Sequence, residues 1–345
     1  MKNTALTQVT PSKIMQIGLG FWASKTLLTA VHMGLFTYLG AGPKPAGDIQ
    51  SELGLHDRSL FDFLDTLVAL GFLQREGIKT TAVYSNAEDT ALFLDKNKPT
   101  YLGGMLEMAN KRLYPFWGNL EDGLKTGQPQ NEVRQNGQSM FEKLYSDPDR
   151  LREFVSAMGG IQMGNFIAFA QNFDFSNYKT LCDVGGAGGY LSAQVALHNP
   201  HMRCVSLDLL QVTPIATANL EKMGVADRVL AQTGNFFEDD LPKADVITMG
   251  NILHDWGMKE KMVLLKKAYD ALPAGGALVV IEALIDDERR QNAFGLMMSL
   301  NMLIETAEGF DFSVADFSEW AREAGFRDIR MMPLTGPSSA AIAVK

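Results

Sequence analysis

Short apolar runs alternate with longer amphipathic stretches over the second half of the chain. Each apolar run is bounded by Gly, Pro, Asn or Asp, the pattern of a strand followed by a helix. Such alternation predicts an α/β domain with a doubly wound, mainly parallel sheet whose last strand is antiparallel. The seven predicted strands are residues 180–184, 203–207, 229–232, 244–249, 277–283, 329–334 and 340–344.

The first half of the chain has the periodicity of helices. Residues 13–40 are strongly apolar and predict one or two helices, broken near residues 34–40, whose wide apolar faces need a partner. A short helix, a turn, a second helix over residues 58–71 and a hairpin over residues 72–84 follow in the order of a winged helix.

Residues 98–172 are also predicted to be helical, and they are rich in Met and aromatic residues. Most of these side chains are expected in the core and a minority around a flat apolar pocket. We therefore expect an N-terminal winged-helix-like domain over residues 1–100. A helical linker and the sheet domain would occupy residues 101–345.

Glycines follow the first predicted strand of the sheet directly, in Asp183-Val-Gly-Gly-Ala-Gly-Gly189. Glycine permits positive φ and a close approach to a ligand, and the next helix would present its N-terminus there. Asp208 ends the next strand, where a carboxylate can accept hydrogen bonds from both hydroxyls of a ribose. The G-x-G-x-x-G spacing of dinucleotide sites fails, because Ala187 and Tyr190 occupy positions that need glycine. These features predict a nucleoside site at the carboxyl edge of the sheet.

A histidine lies at the mouth of the fourth predicted strand of the sheet, in Leu253-His-Asp-Trp256. An imidazole with its ordinary pKa of about 6.5 is a competent proton acceptor at neutral pH. Glu282 ends the following strand, where a carboxylate could hold the ring of His254 and stabilise its protonated form. The pair predicts general-base chemistry beside the nucleoside site.

The block Leu253-His-Asp-Trp256, the segment Ala271-Leu-Pro-x-Gly-Gly276 and Ile281-Glu282 occur here with apolar N-terminal helices and a winged helix. Together they resemble the plant-type and bacterial acetylserotonin or caffeate O-methyltransferases, in their bacterial small-molecule branch. The resemblance runs from about residue 13 to the end. It implies a class I methyltransferase fold, S-adenosyl-L-methionine (SAM) as cofactor, S-adenosyl-L-homocysteine as product and no metal. It also implies a homodimer interlocked through the N-terminal helices.

The resemblance assigns His254 as the general base and Glu282 and Asp311 as flanking acids. Three departures from the family pattern matter. Ala187 replaces a glycine of the turn, Asn235 replaces an aspartate and loses a charge, and Asp311 replaces a longer glutamate, which puts its contact with His254 in question. The residues expected at the SAM site are Asp183, Gly185, Gly189, Asp208, Leu209, Asn235, Phe236, Gly250 and Trp256.

The net charge and the cysteine count limit which classes of partner and which compartment fit this protein. A net charge of −9 argues against a nucleic-acid backbone or an anionic membrane. The second helix of the winged helix carries Asp62 and Asp65 with Arg58 as its only base, so we expect it to be architectural. The only two cysteines lack metal spacing, which favours a reducing, cytoplasmic compartment. No segment approaches the roughly 18 uninterrupted apolar residues of a membrane span, and residues 13–35 are interpreted as an interface helix rather than a signal peptide.

The expected activity is SAM-dependent methyl transfer to a hydroxyl of a small aromatic molecule. Three alternatives remain open at this point. The acceptor could be a thiol or thioether, since sulfur needs little help from a base. The protein could be a non-catalytic SAM-binding regulator associated with DNA. It could also be a rearrangement catalyst that uses SAM only as a bound cation.

Overall fold

The computed structural model describes residues 9–98, 100–136 and 144–345. Within these residues the chain divides into two compact units, which meet along the sequence between Tyr114 and Pro115. The predicted domain boundary after residue 100 remains a proposal. Of the stretch predicted to be helical, residues 99 and 137–143 lie outside the described residues.

The first unit combines helices with a small antiparallel sheet. Two helices and then a β-hairpin follow one another in the predicted order of a winged helix. The sheet has the order β1-β3-β2, with β1 Lys44–Pro45, β2 Leu73–Glu76 and β3 Val83–Asn86. The helices of this unit are Ser12–Gly18, Gly20–His32, Leu35–Leu39, Ala46–Leu53, Asp57–Ala69, Glu88–Phe93 and Gly103–Met108, with a 3₁₀ turn at Lys79–Thr81 and a π-helical turn at Ala109–Leu113.

The apolar N-terminal segment is more broken than the sequence predicts. Leu19 lies between Gly18 and Gly20 and interrupts the helix, because glycine is a poor helix former. The next interruption comes at Gly34, whose φ is +75°. By length and composition alone, residues Ser12–His32 could also cross a membrane, a possibility that the criterion of an uninterrupted apolar run did not detect.

The second unit is built on the predicted seven-stranded sheet. Its order is β6-β5-β4-β7-β8-β10-β9. Strands β4 to β8 pair in parallel, and β10 is antiparallel to both β8 and β9, as the apolar pattern predicted. The strands are β4 Thr180–Val184, β5 Arg203–Asp208, β6 Val229–Thr233, β7 Val246–Gly250, β8 Ala277–Glu282, β9 Asp328–Pro333 and β10 Ser339–Val344.

Helices cover both faces of this sheet. Leu264 and Phe317 belong to the apolar layer on one face, and Leu191 and Leu220 to the layer on the other. The helices are Leu120–Thr126, Glu132–Asn136, Pro148–Asn172, Tyr190–His198, Thr213–Lys222, Met258–Ala271, Ala293–Glu305 and Val314–Ala324, and the short helix Tyr114–Trp117 spans the boundary between the units.

The register of the parallel strands brings their carboxyl ends to one edge of the sheet. Val184 pairs with Leu207, and Gly250 pairs with Ile281. The glycine turn, Asp208, the segment around His254 and Glu282 therefore all begin at the same edge, where ligands of such sheets bind.

Candidate active site

The turn after β4 has three residues in the left-handed region. The φ angles are +68° at Gly185, +47° at Ala187 and +73° at Gly189. A Cβ added to Gly185 would lie 2.3 Å from Cδ1 of Ile252, so close packing as well as φ favours glycine there. Ala187 adopts the same region with a side chain, at a cost of about 1 to 2 kcal/mol. The alanine is accommodated at a cost in backbone strain.

Asp208 holds this turn from the end of β5. Its Oδ2 accepts a hydrogen bond from the backbone N–H of Ala187 at 2.8 Å, and its Oδ1 accepts one from Leu209 at 2.7 Å. Burial raises the pKa of Asp208, and these two N–H donors partly offset that rise. Each carboxylate oxygen can still accept another bond, as a ribose site requires.

Asp183 lies beneath the turn. It is buried, and its Oδ1 accepts a hydrogen bond from the hydroxyl of Thr248 on the neighbouring strand at 2.7 Å. Burial is the main cause that raises the pKa of Asp183 to about 7, with the charge of Asp208 adding to it. The structure gives Asp183 a role in joining β4 to β7, and its contact with SAM stays a prediction.

Aromatic rings line the side of the turn toward β6. Trp256 packs edge-on against Phe237 and Phe236, with ring centroids 4.6 and 6.2 Å apart. Cε1 of Phe236 lies 3.7 Å from where a Cβ on Gly185 would be. Oδ1 of Asn235 accepts a hydrogen bond from the backbone N–H of Phe237 at 3.0 Å, so the amide closes the turn that carries these rings.

One polar atom of this aromatic group has no hydrogen-bond partner among the described residues. It is Nε1 of Trp256, a buried donor. Buried donors are normally satisfied, so an unpaired one beside half-buried rings fits a ligand that is flat and has polar edges, such as a purine. At Gly250 an added Cβ would lie 3.8 Å from Phe166, which is ordinary contact, so packing alone does not require glycine there.

His254 lies in a 3₁₀ turn, Leu253–Asp255, between β7 and the next helix. Only 6% of the residue is exposed. Its Nδ1 lies 3.2 Å from Oε2 of Glu282 and 3.4 Å from Oδ1 of Asp311. Oε1 of Glu282 accepts a hydrogen bond from the backbone N–H of His254 at 3.3 Å. Two acids thus face one ring nitrogen, and Glu282 also fixes the backbone beneath it.

The segment that carries Asp311 is held tightly against the histidine. A Cβ on Gly309 would lie 2.5 Å from the carbonyl oxygen of His254, so only glycine permits this approach. The N–H of Asp311 donates to Oγ of Ser299 at 3.2 Å, and the carbonyl of Phe312 accepts a hydrogen bond from Ile285 at 3.0 Å. The backbone therefore comes close enough for a side chain as short as aspartate.

Three carboxylates determine the charge of the histidine. Burial lowers the pKa of His254, but Glu282, Asp255 and Asp311 outweigh it and raise the pKa to about 10. Oδ1 of Asp255 lies 3.5 Å from Nε2, on the other side of the ring. Burial also raises the pKa of Glu282 to about 7. The free cluster therefore stabilises the imidazolium at neutral pH.

The same geometry also resembles a cation site. Ligand-type atoms of His254, Glu282 and Asp311 lie within 4.8 Å of one another. A protonated imidazole of His254 satisfies the carboxylates of Glu282 and Asp311 equally well, so the arrangement does not require a metal ion.

One residue of this region was missed by the sequence analysis. Burial raises the pKa of Tyr145, and the charges of Asp208 and Asp255 add to the rise. Tyr145 therefore lies within electrostatic reach of both the predicted ribose acid and the segment around His254. No motif surrounds it in the sequence, and only the folded chain reveals this position.

Comparison with known proteins identifies the family of this chain. The pattern of the O-methyltransferase domain matches residues 117–327, and that of the O-methyltransferase dimerisation domain matches residues 15–96. The chain is 37% identical to the tetracenomycin polyketide synthesis 8-O-methyl transferase TcmO of Streptomyces glaucescens, over 97% of each chain. It is 31% identical to the N,N-dimethyltransferase OxyT of Streptomyces rimosus, over 95% of this chain and 94% of that one.

A solved structure of a related enzyme has the same fold. The alignment of this chain with the crystal structure of human N-acetylserotonin methyltransferase in complex with SAM covers 99% of each chain, with a TM-score of 0.90 and 26% sequence identity. The class I methyltransferase fold, the cofactor and the reaction type expected from the sequence are confirmed. The chain belongs to the O-methyltransferase family and is a SAM-dependent O-methyltransferase.

Proposed function

We propose that this enzyme methylates a hydroxyl group on a small, fused-ring aromatic molecule and uses His254 as the general base. The observation that carries the proposal is the buried cluster of His254, Glu282 and Asp311 at the same sheet edge as the glycine turn. A hydroxyl is a poor nucleophile until its proton is removed, so this reaction needs such a base. The similarity to an enzyme of Streptomyces sahachiroi that is named a 3-hydroxy-5-methyl-1-naphthoate 3-O-methyltransferase supports the fused-ring class, because a naphthoate has two fused rings.

The proton would pass to Nε2 of His254. Nδ1 of His254 faces Glu282 and Asp311, so Nε2 is the nitrogen that can take the proton from the hydroxyl of the methyl acceptor. Asp255 lies 3.5 Å from Nε2 and makes no hydrogen bond to it among the described residues, whereas Nδ1 is hydrogen-bonded to Asp311. As the hydroxyl oxygen attacks, the two acids at Nδ1 stabilise the imidazolium that forms.

The SAM site would lie over the glycine turn. When bound, SAM supplies a methyl group on a positively charged sulfur, and the reaction needs no metal. We assign the methionine and ribose portions to the turn, Asp208 and Leu209, and the adenine to the aromatic group that includes Trp256. The full set of proposed SAM residues is Asp183, Gly185, Gly189, Asp208, Leu209, Asn235, Phe236, Gly250 and Trp256.

The working unit would be a homodimer formed through the N-terminal helices. The dimerisation pattern begins at residue 15, and Ile14, Ile17 and Trp22 are exposed by 74%, 75% and 60%. A second copy would cover these exposed apolar side chains, and the dimerisation domain favours such an interface over a membrane span, which fits a cytoplasmic enzyme. No nucleic-acid partner is proposed, since the chain carries a net charge of −9.

A panel of acceptors tests the proposal. The enzyme would be incubated with methyl-labelled SAM and hydroxylated naphthalenes, anthraquinones and naphthacenes, with monocyclic phenols, aryl thiols and aryl amines for comparison. Amines are included because OxyT is named an N,N-dimethyltransferase. We expect mass spectrometry to place the label on the oxygen of a fused-ring phenol. Label found only on sulfur or nitrogen would contradict the proposed acceptor.

A further inference from the structure

Lys261 is a completely buried lysine in the helix Met258–Ala271, and it has no part in the proton transfer just described. Lysine is almost never fully buried unless it is paired, because removing its charge from water is costly. The structure must therefore offer the ammonium group specific partners.

Two backbone carbonyls and an aromatic ring surround this ammonium. Nζ donates hydrogen bonds to the carbonyl oxygens of Trp256 at 2.5 Å and Phe310 at 3.1 Å. It also lies 3.5 Å from the centroid of the Phe310 ring, which is a cation–π contact. Trp256 follows Asp255 in the chain, and Phe310 precedes Asp311. One ammonium thus joins the two segments whose acids approach His254 from opposite sides of its ring.

The charge of Lys261 also acts on those acids. Burial lowers the pKa of Lys261 to about 8, against Glu282, Asp311, Asp255 and Glu260, which raise it. Burial raises the pKa of Asp255, and the charges of His254 and Lys261 oppose that rise. The acidic cluster would otherwise carry three carboxylates against one imidazolium. A buried cation keeps more of these carboxylates ionised and weakens the hold of the cluster on its last proton.

We propose that Lys261 is a positioning residue for methyl transfer, which fixes the two acid-bearing segments around His254 and balances the charge of their carboxylates. The proposal rests on His254 being the general base. Lys261 touches neither the acceptor nor the cofactor in this proposal, and it acts through Asp255 and Asp311.

The dependence of kcat/KM on pH separates this role from simple packing. Lys261→Met keeps the length of the side chain but removes the charge and the donors. Below about pH 8, where wild-type Lys261 carries its charge, the variant holds the proton of the cluster more tightly, so we expect this part of the rising limb to lie about one pH unit higher. On a limb of unit slope, this shift lowers kcat/KM roughly tenfold at neutral pH. Lys261→Arg keeps the charge and should leave the limb within a few tenths of a unit of its original place.

Two further variants keep the outcome clear. Lys261→Gln retains a donor without the charge and provides the same test if the methionine variant does not fold. Glu282→Gln should move the limb in the opposite direction. If Glu282→Gln moves the limb and neither neutral variant of Lys261 does, the proposal for Lys261 is wrong while the base remains His254. If none of the three moves it, the base assignment itself fails. If the neutral variants of Lys261 lower the melting temperature but do not move the limb, Lys261 contributes only to packing.

Discussion

Oδ1 of Asp311 lies 3.4 Å from Nδ1 of His254, although an aspartate is one methylene shorter than the glutamate expected there. The approach of the backbone at Gly309 and the hydrogen bond to Ser299 supply the missing length. His254 is therefore held by two acids of different reach, Glu282 from a rigid strand and Asp311 from a pinned loop. The base and its supports can be tested separately.

Replacing His254 by alanine should lower kcat by roughly 10² or more and leave the Kd for SAM within a few-fold. A general base typically contributes this much to the rate, and the ring takes no part in the proposed SAM site. Turnover would be followed by mass spectrometry and SAM binding by calorimetry. His198→Ala removes an exposed histidine and should retain turnover within about twofold. Full turnover in His254→Ala would exclude the base assignment.

The pH profile should rise through the neutral range. Only the neutral imidazole can accept a proton, and the pKa of about 10 for His254 means that its neutral fraction grows as pH increases. Glu282→Gln removes the largest of the charges that raise this pKa, so its rising limb should move to lower pH. Ionisation of the acceptor phenol is the same for both enzymes and cannot cause the shift. Exposed Glu238→Gln is the matched control and should leave the profile unchanged.

Asp208→Asn should weaken SAM binding by about 10-fold to 100-fold. Hydrogen bonds to a charged acceptor contribute about 1.5 to 3 kcal/mol, and the amide would also point a donor at the N–H of Ala187 or Leu209. Calorimetric titration with SAM gives the change in Kd directly. Glu221→Gln makes the same carboxylate-to-amide change at an exposed position of the helix Thr213–Lys222 and should bind SAM normally. An unchanged Kd in Asp208→Asn would remove the ribose assignment.

Ala187→Gly should stabilise the protein by about 0.5 to 1 kcal/mol. The substitution relieves the left-handed strain at φ +47°, and the greater freedom of glycine in the unfolded chain offsets part of the gain. Denaturant unfolding measures the difference. In the control Ala193→Gly, the same change within the helix Tyr190–His198 should destabilise the protein by about 1 kcal/mol or more. Equal losses in both variants would show that Ala187 is unstrained.

Trp22→Glu should convert the homodimer into a monomer. The residue is 60% exposed on the apolar N-terminal helix, and a charge buried at an interface is costly without a partner. Light scattering after size-exclusion chromatography reports the mass. Leu230→Glu places the same charge at a similarly exposed apolar position on β6 and should remain dimeric. A dimer that survives Trp22→Glu would mean that the interface lies elsewhere.

Much of the sheet domain could be predicted because its strands are apolar and its helices amphipathic. The seven strands lie within two residues of their predicted bounds at every end. His254 and Glu282 were predicted to meet because both follow parallel strands, and strand ends share one edge. This inference needed only the period of the pattern and the direction of the chain.

Other features depend on tertiary contacts that no local pattern encodes. The reach of Asp311 is set by Gly309 packing on the carbonyl of His254. Lys261 has the sequence position of an ordinary charged residue on an amphipathic helix, yet the helix buries it. The break at Leu19 was missed because the apolar pattern continues across it, while the glycines on both sides weaken the helix.

The position of β10 has a consequence for how the enzyme acquires activity during its synthesis. β10 lies between β8 and β9 in the sheet, and Glu282 at the end of β8 pairs with Ser339. Until the ribosome has made β10, β8 is an open edge with unpaired backbone groups on one side. The glycine turn and Asp208 can be assembled from earlier strands. A nascent chain therefore contains the glycine turn and Asp208 before it contains the strand that pairs with Glu282.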